Sequence, residues 1–222
     1  PASGTGRKHI DEARSIDGDR HNFIPFRDLD PASPPNRNER FMGKIVDLES
    51  YRIQALEKRG LQPWQQRFSQ KFGRGTHLCD LSDRTLMKLA QPGEDSTLAY
   101  YELLMAVLDL GEGRQFSSLK KEDQLRVVDI HLFLADQVRF EMMRRLNWVE
   151  PFAAGEYPVV LLVAEFEQIR ERCRAQAPML SYRRPDYRQY ETLTPREREG
   201  FIRKLLPSAL EAFRLRLPPT DA

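Results

Sequence analysis

The segment Thr97 to Leu108 carries one charge in its middle turns, Glu102, and is apolar on nearly every other side. A helix apolar all round has to be enclosed by other helices. Any fold built on this segment must therefore wrap a shell of amphipathic helices about it.

The rest of the chain after Pro34-Pro35 supplies such a shell. Ile45, Leu48, Arg52 and Leu56 recur at helical spacing, with Gly60 as a C-terminal stop. Pro63 opens a second short helix carrying Trp64, Phe68 and Phe72, ended by Gly73 and Gly75. Asp80 or Ser82 caps a third, which holds Leu86, Met87 and Ala90 and stops at Pro92-Gly93. Ser96 caps the fourth, running to Leu110 before Gly111 and Gly113.

The fifth helix is the longest, predicted from about Leu119 to Asn147. At roughly 100° per residue, Leu125, Val128, Leu132, Met142, Met143 and Leu146 gather on one side. Glu122, Arg126, Asp129, Asp136 and Arg144 gather on the other. A sixth helix starts at Pro158 and continues through Val163, Phe166, Ile169 and Cys173. Its opening Val159 to Val163 also fits a buried strand, but no second strand candidate exists to pair with it. The last segment opens on Thr194-Pro195-Arg196-Glu197, with the Thr-x-x-Glu spacing of a capping box, and Pro207 kinks or splits it.

The expected architecture is all-α: an irregular bundle of six to eight helices with an extended N-terminal arm. The arm covers residues 1–38 and a single helical domain covers 39–222, with a possible subdivision near 150–157 before C-terminal helices over 158–217. Residues 1–40 hold seven basic and seven acidic side chains and five prolines, too polar to offset chain entropy by burial. Within the arm lies one apolar island, Phe23, Ile24, Pro25 and Phe26 with Leu29, which Pro25 keeps extended. The island docks either on the chain's own body or on another chain.

Composition narrows the function. With 35 Lys+Arg against 33 Asp+Glu the formal charge is only +2, short of the cationic excess of a nucleic-acid-coating protein. No apolar run approaches the roughly 20 residues of a membrane span, and no signal-peptide pattern opens the chain. A cytoplasmic, soluble protein without membrane insertion is expected.

Catalytic and metal signatures are missing. Cys79 and Cys173 form no CxxC, and His9, His21, His77 and His131 place no two ligands on one helical face, so no metal and no cofactor is expected. No Gly-x-Ser-x-Gly or phosphate-binding loop is present, and a non-enzyme is expected ahead of an enzyme that would use Glu102, His131 and Arg139.

Three groups of residues stand out. Glu102, His131 and Arg139 project toward one interior, as a small-ligand pocket or as a satisfied polar network. Phe133 and Phe140 project onto the charged side of the fifth helix, either covered by another helix or serving as partner anchors. From Arg170 onward twelve basic residues face seven acidic ones, and Tyr182, Arg183, Arg184, Tyr187 and Arg188 alternate within that part. Tyr and Arg suit a protein interface and also single-stranded nucleic acid. The leading expectation is an interaction protein that binds a protein partner or a second copy of itself; nucleic-acid binding through 182–204 is the alternative, with the small-ligand pocket as a third reading.

Overall fold

The computed structural model describes residues 48–218. The arm over 1–38, with Phe23, Ile24, Phe26 and Leu29, lies outside the described residues, as does the expected start of the first helix. The described residues hold ten α-helices and no strand, only isolated bridges between His77 and Pro158 and between Val149 and Leu180.

The first two helices, α1 (Leu48–Leu56) and α2 (Gln62–Phe68), are continuous through a π-helical turn, Glu57–Leu61. Pro63 has no N–H to donate and its ring crowds the carbonyl one turn earlier, and the widened turn relieves that clash. Gly60 is thus no stop. It is buried where the π turn crosses α4 (Glu94–Val107), and a β-carbon there would lie 2.9 Å from the Ala106 Cβ. Chain reversal comes instead at Ser69, which takes the left-handed conformation at φ 50°, so α2 ends before Gly73.

α3 (Asp83–Ala90) is capped by Ser82, whose hydroxyl accepts from the Thr85 N–H at 3.1 Å. Ser96, expected as the next cap, sits inside α4, where its hydroxyl donates to the carbonyls of Gln91 and Gly93. α4 is packed by α1, α2, α3, α5 (Lys121–Arg145) and α6 (Val159–Ala164). Trp64 donates to the Ala99 carbonyl at 2.6 Å, and Tyr100 donates to the Leu89 carbonyl at 3.1 Å. These bonds satisfy the polar tips of two otherwise enclosed aromatics.

On α5 the expected apolar side is wrong in part. Leu125 and Leu132 are 59% and 57% exposed, whereas Val127, Ile130, Leu134, Val138 and Glu141 are buried. A helix contacting α3, α4, α6 and α10 (Leu206–Arg216) has more than one buried side, and a single projection cannot describe it. The buried Glu141 accepts from Arg144 at 2.6 and 2.8 Å and from Arg145 at 3.0 Å. Arg145 also pairs with Asp83 at 2.6 Å, which ties α5 to α3.

The sixth predicted helix divides at Glu165 into α6 and α7 (Phe166–Ala175). After α8 (Tyr187–Glu191), α9 (Pro195–Lys204) starts with the expected capping box, Glu197 accepting from the Thr194 N–H at 2.9 Å. One hydrophobic core runs from Leu56 to Phe213, across the 150–157 segment.

Candidate functional site

Phe133 and Phe140 lie seven residues apart on α5, and Gln137 stands between them on the same side. Phe133 meets the Phe166 ring of α7 edge-on at 5.4 Å. Phe140 is buried and meets Phe152 at 6.1 Å, whereas Phe133 stays half-buried. They also border a groove of about 610 Å³ between α5, α7 and the start of α9. Leu132 lines it from an exposed position, and Phe152, Ala153 and Ala154 line it as well.

The rim is charged with both signs. Arg203 of α9 donates to Asp136 at 2.6 Å and pairs with Glu199 at 3.0 Å, while Arg174 pairs with Glu171 at 2.6 Å. Arg170 lies over the Phe166 ring at 5.2 Å, and neither it nor Arg196 takes a carboxylate among the described residues. Cys173 lines the same groove, and burial pushes its thiol up. That is the opposite of an activated nucleophile.

No family model, curated protein or solved structure matches this chain. Its chemistry has to be read from its own side chains.

Glu102, His131 and Arg139 do not gather. Glu102 turns toward α2, where Arg67 donates to it at 2.7 and 3.3 Å. His131 packs on Tyr100 and Tyr101, with ring centroids 4.8 and 5.4 Å apart. Arg139 donates to the Ala90 carbonyl at 3.3 Å and pairs with Asp136 at 3.4 Å. Burial first, and then the charge of Arg139, push His131 below its usual value. A lone projection of α5 places His131 and Arg139 on one side, but which side of α4 carries Glu102 toward α2 is a matter of packing.

The Tyr/Arg segment splits in the same way. Arg184 stacks over Trp148 at 4.1 Å and pairs with Asp186 at 2.6 Å, and Tyr187 packs against the core. Tyr182, Arg183 and Arg188 remain exposed, with Arg183 stacked on Tyr182 at 5.5 Å. His77, Cys79 and Asp80 form a turn in which Asp80 accepts from the His77 N–H at 2.8 Å. Among the described residues no three His, Cys, Asp or Glu side chains group as metal ligands.

Sequence reasoning missed Gln137, Phe152, Arg170 and Arg196. One signal was present for Gln137: a polar amide four residues after Phe133 and three before Phe140 occupies an aromatic side of the helix.

Proposed function

We propose that this chain is a non-enzymatic interaction protein whose helical body holds a protein segment in the groove between α5, α7 and α9. The observation behind this reading is an open cleft of about 610 Å³ with aromatic walls, an exposed Leu132 in its lining and arginines on its rim. Aromatic anchors inside a charged ring are the usual make-up of a binding hot spot. The arm island Phe23, Ile24, Phe26 and Leu29 is proposed as a second contact with a partner or a second copy. The free thiols Cys79 and Cys173 fit a reducing compartment such as the cytoplasm.

Capture from an extract of the source cells, with the full-length chain as bait, tests the groove. Leu132→Glu places a charge in its lining from an exposed position, so the fold is retained. A protein held by the unaltered chain and lost from this variant, with equal urea midpoints, supports the reading. Identical captured proteins on both baits sink it.

Nucleic acid is the rival, favoured by the exposed Tyr182 with Arg183 stacked on it. That reading calls for an affinity that falls steeply with salt and drops on Arg183→Ala and Arg188→Ala.

A further inference from the structure

Two hollows meet beside α4, and no residue of either lines the α5 groove. One, of about 600 Å³, has Tyr51 and Gln54 of α1 in its lining together with Lys58 and Arg59 of the π turn. The other, of about 580 Å³, is lined by Leu98 and Tyr101 of α4 and by Phe116 of the 3-10 turn Gly113–Ser118. Gly113 and Arg114 line both. The shared lining makes them two lobes of one cleft, the first cationic and the second apolar.

The 3-10 turn is pinned to α4 on both sides of Arg114. A β-carbon on Gly113 would lie 2.7 Å from the Glu102 backbone nitrogen, and Phe116 lies against Tyr101 with ring centroids 4.4 Å apart. His131 backs Tyr101 in turn at 5.4 Å. Arg114 is therefore carried on a backbone that packing holds in place, at the junction of the two lobes.

The charges of the cationic lobe are not all used within the protein. Arg67 holds the Glu102 carboxylate at 2.7 and 3.3 Å, and Arg59 has Asp109 at 3.8 Å. Lys58 and Arg114 take no carboxylate among the described residues. A guanidinium accepts a carboxylate through two parallel bonds. Glu112 in the first lobe and Glu94 in the second disfavour a polyanion, so the complement is a single negative charge. Apolar walls with a few polar groups that fix orientation are the usual make-up of a small-molecule site.

We propose that this cleft binds a small organic acid, its apolar ring system against Leu98, Tyr101 and Phe116 and its one carboxylate on Arg114 and Lys58. The site is separate from the α5 groove and does not depend on what that groove holds.

The probes are 2-naphthoate, its neutral isostere 2-naphthamide, and acetate, each titrated by calorimetry into the full-length protein at low salt. 2-Naphthoate is expected to bind about tenfold tighter than 2-naphthamide, since only the acid forms a charge-assisted pair. Against acetate, which has the charge without the rings, the gain is expected to be about a hundredfold. Lys58 and Arg114 are exposed, so replacing both by Ala keeps the fold, and that variant is expected to bind the two naphthalenes alike. Leu132→Glu, in the α5 groove, is expected to bind 2-naphthoate as the unaltered protein does.

Equal binding of 2-naphthoate and 2-naphthamide overturns the carboxylate seat, and acetate binding as tightly as 2-naphthoate overturns the apolar lobe. A preference for the acid that survives the loss of Lys58 and Arg114, or that disappears in Leu132→Glu, puts the ligand elsewhere and overturns the proposal. If 2-naphthoate does not bind at all, the site is overturned outright.

Discussion

Gly60 and Ala106 bring two helices into backbone-level contact, since any β-carbon on Gly60 would lie 2.9 Å from that of Ala106. The π turn that carries Gly60 is therefore seated on α4 at a distance no side chain tolerates. Gly113 approaches the same helix as closely, since a β-carbon there would meet the Glu102 backbone nitrogen at 2.7 Å. Two glycines that look like helix stops in the sequence serve close approach to α4.

The Gly60→Ala variant sets two effects against each other. Helix propensity favours Ala by about 1 kcal/mol, whereas overpacking costs about 1–3 kcal/mol. Overlap with Ala106 decides the sign, and a net loss of about 1–2 kcal/mol is expected in urea unfolding. The double variant Gly60→Ala with Ala106→Gly frees the space and should recover a measurable part of that loss.

Glu141 is a fully buried carboxylate held by Arg144 and Arg145, and Arg145 also donates to the carbonyls of Leu78 and Cys79. Removing Arg145 leaves the buried Glu141 with Arg144 as its remaining partner and takes the donor away from Asp83 and from the carbonyls of Leu78 and Cys79. Arg145→Met is expected to cost about 3 kcal/mol by urea unfolding. Combining it with Glu141→Leu should cost less than the two single losses added, because the double variant leaves no orphan charge on that bond.

His131 makes the fold sensitive to acid. Its folded value lies below the usual 6.5, through burial and then the charge of Arg139, so the folded state binds this proton more weakly than the unfolded chain. The contribution is intact above the unfolded value and is lost as pH falls from there through the folded value. The His131→Phe variant keeps a ring against Tyr100 and Tyr101 and removes the titration. Between about pH 7.5 and about pH 5.5 its urea midpoint should fall less than that of the unaltered protein.

Cys173 reports on the groove without touching its recognition chemistry. Its thiol is raised by burial, and that of Cys79 is raised by burial and by Asp80. Both should alkylate slowly near neutral pH and faster in mild alkali. A groove ligand at tenfold above its Kd should slow iodoacetamide at Cys173 about tenfold. Cys79, outside the groove, should be unchanged, as peptide mass spectrometry would read out.

The helical class and most of its punctuation were legible in the sequence because they are local. The apolar Thr97 to Leu108 segment, the Ser82 cap and the Thr194 to Glu197 box each depend on residues within a turn or two of one another. Positions that depend on distant neighbours were read less well. Gly60 signals a stop by composition and is a contact point by packing, and Leu125 and Leu132 look like core by periodicity and stand exposed.

For the groove the division is sharper. The spacing of Phe133, Gln137 and Phe140 along α5 was set by the sequence, since 3.6 residues per turn puts them on one side wherever the helix goes. What faces them was decided by the tertiary structure alone: Phe152, Arg170 and Arg196 come from separate elements that converge only after folding. The same convergence took Glu102 to Arg67 and away from His131. Helical periodicity assigns each side chain a direction, and only the packing of one helix on another supplies what lies there.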